Sequence, residues 1–286
     1  MHAYMIIAHN QFALLEKLVK ALDDERNDIF IHIDAKVSNF DFDRFTKMTE
    51  YSTVAFTDKR FKIKWGSFDM IKAEYALFEK LFLSGKKYDY VHIISGCDLP
   101  IKSNDEIHTF FSENYGKEFI HFTSDKLNDT ELDRVRAYHF FPGRRNLVKR
   151  VLTILESKTA KVLGINRIKN LEIQKGSQWA SITGSFAEYV YSRKDFVYKQ
   201  FKHTFIPDEF FIQTLFVNSP YSGNLFMPDC NNNHFACARL IDWERGNPYV
   251  WRIEDADIIK NSPCIFARKF DLSVDSEIVD EILANR

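Results

Sequence analysis

The 286-residue chain is short of several features that would send it to other protein classes. It has no apolar run of eighteen residues, so no membrane-spanning helix is expected. The apolar start Met1 to Ala8 ends at His9-Asn10 and reads as a first strand, with no secretory leader. Charge of either sign is not in excess: 39 Lys and Arg stand against 40 Asp and Glu, which argues against nucleic acid as the main partner. Cys97, Cys230, Cys237 and Cys264 have no CxxC spacing and no histidine pattern for zinc. They are expected to be reduced thiols in a cytoplasm. Repeats, low-complexity tracts and Pro/Gly/Ser linkers are missing too, so one compact domain over residues 1–286 is expected.

What the chain has is apolar bulk and alternation. Hydrophobic residues make up 45%, and 27 Phe with 12 Tyr imply a Phe-rich core. Strands are expected at Tyr4 to His9, Asp28 to Asp34, Thr53 to Thr57 and Tyr90 to Ser95. Helices are expected at Ala13 to Leu22, at Met70 to Phe82, and at Ser103 to Phe111, where Ser103 and Glu106 stand at capping-box spacing. This alternation predicts an α/β fold of Rossmann-like type, with a mostly parallel central sheet flanked by helices. Ligands on such sheets sit beyond the carboxyl ends of the strands, which points to Ala8-His9-Asn10, Asp34 and Ser95 to Asp98. The stretch from about Ser124 to Gln174 is charged, carries the basic residues Arg144, Arg145, Lys149 and Arg150, and predicts a long helix from Asn146 to Val162. A helix at Asp208, strands near Ala238 to Trp243 and Cys264 to Phe270, and a helix from Val274 to Leu283 complete the expectation.

Two segments carry chemistry. In Phe205-Ile-Pro-Asp-Glu-Phe-Phe211, Pro207 suits a first helical position. Asp208 and Glu209 then fall in the first turn, where the helix dipole favours their anions. One could serve as a general base; both could simply complement the dipole. In Phe266-Ala-Arg-Lys-Phe-Asp271, Arg268 and Lys269 alternate on a strand, so only one should face a site. Arg239 and Arg245 are alternative candidates for holding a diphosphate, because a guanidinium donates two parallel hydrogen bonds. A base beside fixed positive charge suits sugar transfer from a nucleotide diphosphate. Asp41-Phe-Asp43 and Asp255-Ala-Asp257 match the DXD pattern of metal-dependent transferases, but each reads better as a helix start. The position after the fourth strand, Ser95-Gly-Cys-Asp-Leu-Pro100, holds one carboxylate.

With these blocks assembled, the chain resembles the core-2/I-branching β-1,6-N-acetylglucosaminyltransferase family, which includes the peptide O-xylosyltransferases, as a short bacterial-type member. The resemblance rests on AYMIIAHN, IHID, KWGSFDMIKA, YDYVHIISGCDLPIKSNDEI, GSQW, IPDEFFIQT, RLIDWERG and IFARKFD, in that order along nearly the whole chain. It implies a GT-A type fold, inversion at the anomeric carbon and no cofactor, with no divalent metal. It implies a nucleotide-binding half, 1–123, and an acceptor and catalytic half, 124–286. Carried over position by position, it implies Glu209 as base, and Ile7, His9 and Asp34 as nucleotide contacts. Lys269 and either Arg245 or Arg239 would bind the diphosphate, and Asp98 would approach the donor sugar. On the acceptor side it suggests Trp179, Arg136, Arg134 and Tyr138. His9 reads equally as a buried polar residue satisfied by backbone.

The implied partners are a UDP-sugar donor, GlcNAc first and xylose or another sugar as the alternative, and a glycan or lipid-linked glycan acceptor. A cytoplasmic enzyme at the inner membrane face is expected, with the basic run as its lipid contact or as a solvated helix face. A non-catalytic sugar- or nucleotide-binding module is the reading from a different class.

Overall fold

Strict alternation along the first strands builds the molecule outward from one sheet. The computed structural model describes residues 1–140 and 147–286, with the backbone alone for Lys149 and Arg150, so the basic run lies outside the described side chains. Strands β1 (His2–Ala8), β2 (Asn27–Ile33), β3 (Thr53–Phe56) and β4 (Tyr90–Ser95) pair in parallel in the order β3-β2-β1-β4. The residues of β1 and β2 are buried on both faces, as inner parallel strands under two helical layers must be, while edge strand β3 is only partly covered. Tyr4, Ile6 and Ala8 join one core, with the helix Phe12–Ala21; Ala3, Met5 and Ile7 join the other, with the helix Asp69–Leu83. Phenylalanines run through both cores, Phe111 and Phe119 in the first and Phe78, Phe186 and Phe211 in the second.

The edge next to β4 departs from the expectation. Ala180–Thr183, here β6, runs antiparallel to β4, with His92 opposite Ser181. Its four residues lack the length and alternation of a strand signal, and pairing alone defines it. Asp98–Pro100 (β5), Arg239–Ile241 (β7) and Phe266–Arg268 (β8) form a separate three-stranded sheet in the order β5-β8-β7. In its register Arg268 lies opposite Asp98.

Helix ends follow local chemistry. Ser103 accepts from the Glu106 N–H and Glu106 reaches back to the Ser103 N–H, so the helix Asn104–Glu113 carries the expected capping box. The long helix is Leu147–Val162 and the last is Glu277–Ala284. Both DXD matches sit at helix starts: Asp41 caps Phe42–Thr46 by accepting from the Arg44 N–H, and Asp255 precedes Ala256–Lys260. The Asp208 segment differs from the expected helix. Pro207–Glu209 is a separate 3₁₀ turn entered through Ile206 at φ 53°, and the α-helix begins only at Phe211 and ends at Val217. All four cysteines are free thiols. Among the described residues no helix is long and apolar enough to cross a membrane.

Candidate active site

A cleft of about 540 Å³ opens at the carboxyl ends of β1 and β4, where the chain order of a doubly wound sheet reverses. Ile7, His9 and Ser95 come from those strand ends, Lys64 to Gly66 from the segment after β3, and Gly176 to Trp179 from the approach to β6. Ile206, Asp208, Glu209, His234, Trp243 and Arg268 close it.

The Pro207–Glu209 turn is fixed from three sides. The Ile206 N–H donates to the Gly66 carbonyl (3.0 Å), and the Gly176 N–H donates to the Glu209 carbonyl (2.9 Å). Gly176 has no substitute, since a Cβ there would lie 1.7 Å from the His121 carbonyl oxygen. Arg134 clamps the third side: it donates to the Phe205 and Ile206 carbonyls, stacks on Phe210 (4.7 Å) and reaches Glu209 Oε2 at 2.9 Å. Glu209 remains one-third exposed toward the cleft. Its neighbour Asp208 is pushed up to about 7, first by burial and then by the Glu209 charge.

The second charged element is Arg268. Asp98, 1% exposed, accepts from Arg268 Nη1 at 2.6 Å and from the Ser95 N–H at 2.8 Å. The guanidinium then lies over the Trp179 ring at 4.7 Å. A carboxylate below and an aromatic face beside it hold this cation in one orientation, with its remaining donors toward the cleft. Behind Gly176, His121 accepts from the Ser177 N–H and stacks on His234 at 4.1 Å with the rings almost parallel. Burial keeps both imidazoles low, near 4 and 3.

Of the expected site residues, Glu209, Ile7, His9 and Trp179 line the cleft. His9 is exposed on its wall, with its pKa lowered by partial desolvation and then raised by Asp34. Eight others lie outside the wall, each for a physical reason. Asp34 is buried and accepts from the Lys36 and Ile63 N–H groups, tying β2 to the segment after β3. Asp98 acts on the cleft only through Arg268. Arg239 is 1% exposed and donates to Ser181 Oγ and to the carbonyls of Ile93, Cys237 and Ala180, bolting the small sheet to the large one. Arg245 is held by Asp242 (2.5 Å) and Asp255 (2.7 Å) across Tyr249. Arg136 pairs loosely with Asp129 (3.8 Å) on another surface, and Tyr138 lies under Arg167 there. Lys269 is half-buried beside the cleft, close enough for its charge to depress His9. It is Arg268, the other cation of the pair, that forms the wall. The alternation of the Arg268-Lys269 pair signalled that one must face the site; which one depended on Asp98 sitting opposite in β5. Arg134 was suggested for the acceptor and proves to be the partner of Glu209.

Among the described residues no three His, Cys, Asp or Glu side chains gather as a metal-binding group. The cleft at the switch point of a doubly wound α/β sheet thus holds a carboxylate, Glu209, and a guanidinium, Arg268, oriented by Asp98. Residues 2–261 match the Core-2/I-Branching enzyme family, and the chain belongs to that family. It is similar to Xylosyltransferase 2 of Mus musculus, at 26% identity over 97% of this chain and 33% of the relative. It is also similar to Xylosyltransferase 1 of Homo sapiens, at 25% identity over 98% of this chain and 30% of the relative. The chain thus spans about a third of the length of these relatives. The crystal structure of apo mouse Xyloside xylosyltransferase 1 overlaps 93% of this chain and 97% of its own, at 11% identity and a TM-score of 0.37.

Proposed function

We propose that the protein is an inverting glycosyltransferase that moves a sugar from a UDP-sugar to a glycan hydroxyl, with protein cations in place of a divalent metal. The observation that carries this reading is one cleft holding both Glu209, one-third exposed and steadied by Arg134, and Arg268, oriented by Asp98. Glu209 removes the proton of the acceptor hydroxyl as its oxygen bonds to the anomeric carbon. The bond from that carbon to the diphosphate oxygen breaks, and its electron pair leaves with UDP. Arg268, with Lys269 at the cleft edge, stabilises the charge that develops, as preorganised donors do in a site that excludes water. GlcNAc in β-1,6 linkage is the first donor assignment. The xylosyltransferase names of the relatives favour UDP-xylose as the second. The acceptor assigned is a glycan or lipid-linked glycan at the inner membrane face.

An array of UDP-sugars and glycan acceptors with mass detection tests the reading. In it, Glu209→Gln is expected to keep UDP affinity by calorimetry while transfer falls about 10²- to 10⁴-fold. EDTA in the same assay is expected to leave transfer unchanged. Full transfer by the Gln variant would reassign the base, and UDP binding without turnover would favour a binding module.

A further inference from the structure

Beneath the cleft floor lies a carboxyl group that none of the chemistry above uses. Glu74, on the inner face of the helix Asp69–Leu83, has no solvent exposure. One of its oxygens, Oε1, accepts from Gln178 Nε2 at 2.7 Å; the other, Oε2, is buried without a partner. Burial first, and the Asp208 charge second, hold its pKa well above the usual carboxylate range. No cation is among the groups acting on it, so an anion here would be unpaired in an apolar surrounding. Glu74 sits behind two residues of the cleft wall, Gln178 and Asp208, and offers Oε1 as an acceptor to the first of them.

Gln178 is the side chain that links this buried acid to the site. Its Nε2 is turned down to Glu74, and no described donor of the protein reaches its Oε1. That oxygen is also not among the buried atoms left without a partner, so it is open to the cleft that Gln178 lines. A free carboxamide can flip and present either end; one with its amide end fixed presents only an acceptor.

We propose that Glu74 is a positioning residue, which fixes the Gln178 carboxamide so that its oxygen accepts a hydrogen bond from a sugar hydroxyl in the cleft. The inference rests on the glycosyltransferase reading and names one of its substrate contacts. The ligand group is a neutral hydroxyl donor, on the donor sugar or on the acceptor, and not a phosphate.

The test is steady-state kinetics of wild type, Glu74→Leu, Glu74→Gln, Gln178→Leu and the Glu74→Leu/Gln178→Leu double variant, with the UDP-sugar and acceptor found active. Loss of one oriented hydrogen bond is expected to raise KM for one of the two substrates about 3- to 10-fold in Glu74→Leu and in Gln178→Leu, with kcat less affected. The double variant should lose no more than Gln178→Leu alone. Glu74→Gln, which keeps an acceptor for Nε2, should bring KM back toward the wild-type value. An active wild type with unchanged KM in Gln178→Leu, or additive losses in the double variant, would overturn the inference and leave the transferase reading standing. A wild type that turns over no UDP-sugar would sink both.

Discussion

Two arginines on neighbouring strands of the small sheet are put to opposite uses. Arg239 on β7 donates to four protein groups and lies over the Phe266 ring, and it joins the two sheets. Arg268 on β8 has one buried carboxylate, one indole face and an open side. Both were legible as cations near strand ends, and residue type does not separate them. What separates them is the supply of acceptors. Three carbonyl oxygens and the Ser181 hydroxyl take both terminal nitrogens of Arg239, and its unpartnered Nε is buried out of a ligand's reach, whereas Asp98 takes only one edge of Arg268. A guanidinium becomes a binding group when the protein orients it without saturating it.

The largest expected effect breaks the saturated side. Arg239→Met removes the donors to the Ile93, Ala180 and Cys237 carbonyls and to Ser181, and leaves them buried. Each orphaned group costs about 1–3 kcal/mol, partly offset by no longer burying a charge, so a loss of about 3–5 kcal/mol in urea unfolding is expected. A loss below about 1 kcal/mol would show that Arg239 is not the bolt between the sheets.

The same region should report pH. Ser181, which accepts from Arg239, also bonds His92 Nδ1 (2.8 Å), and His92 Nε2 meets His2 Nδ1 (3.1 Å). Burial, then the neighbouring charged forms, depress His2 to about 2 and His92 well below the imidazole range; His32 and His121 fall to about 4. A histidine depressed on folding gives its full stability above the unfolded value near 6.5 and loses it as pH falls below that. Glu118, raised to about 7 by burial, and Glu74, raised well above the usual carboxylate range by burial and the Asp208 charge, work the other way, as does Asp208: their folded forms favour low pH. The buried histidines outnumber these acids, so stability should fall from pH 6.5 to pH 4.5, by about 1.4 kcal/mol per pH unit for each uncompensated proton, and Tm should fall with it. A Tm that rises over that window would mean the acids dominate.

On the unsaturated side, Arg268→Ala should weaken UDP binding about 10- to 100-fold, the worth of one or two charged hydrogen bonds. Calorimetry of UDP against the variant measures it directly. Unchanged affinity would move the diphosphate to Lys269 or elsewhere.

The contrast also explains what could be read from sequence. The expected strands Tyr4 to His9, Asp28 to Asp34 and Tyr90 to Ser95 fall within a residue or two of those observed, because continuous apolar runs can be satisfied only between two helical layers. The Ser103 capping box was legible for a similar reason, since both partners lie within one turn. Legibility fades where a side chain's fate depends on distant partners. Ala180–Thr183 became a strand through β4, Arg239 became structural through carbonyls up to 146 residues away, and Asp98 became a support through Arg268. Glu209 and Trp179 were placed in the cleft by family blocks, whereas Glu74 gave no local signal. An acid on the inner face of an amphipathic helix reads as an error in the pattern until Gln178 is seen above it.

Arg245 supplies the smallest effect and the sharpest check on the rule about acceptors. Sequence spacing made it a diphosphate candidate, yet Asp242 and Asp255 hold two edges of its guanidinium and Tyr249 covers a face at 4.0 Å. It is two-fifths exposed, so solvent screens these pairs. Arg245→Ala should therefore leave the urea midpoint almost unmoved and UDP affinity near that of wild type. If UDP affinity instead fell as far as in Arg268→Ala, the two aspartates would have to release Arg245 when the nucleotide enters. Saturation in the free protein would then be a poor guide to which guanidinium binds phosphate.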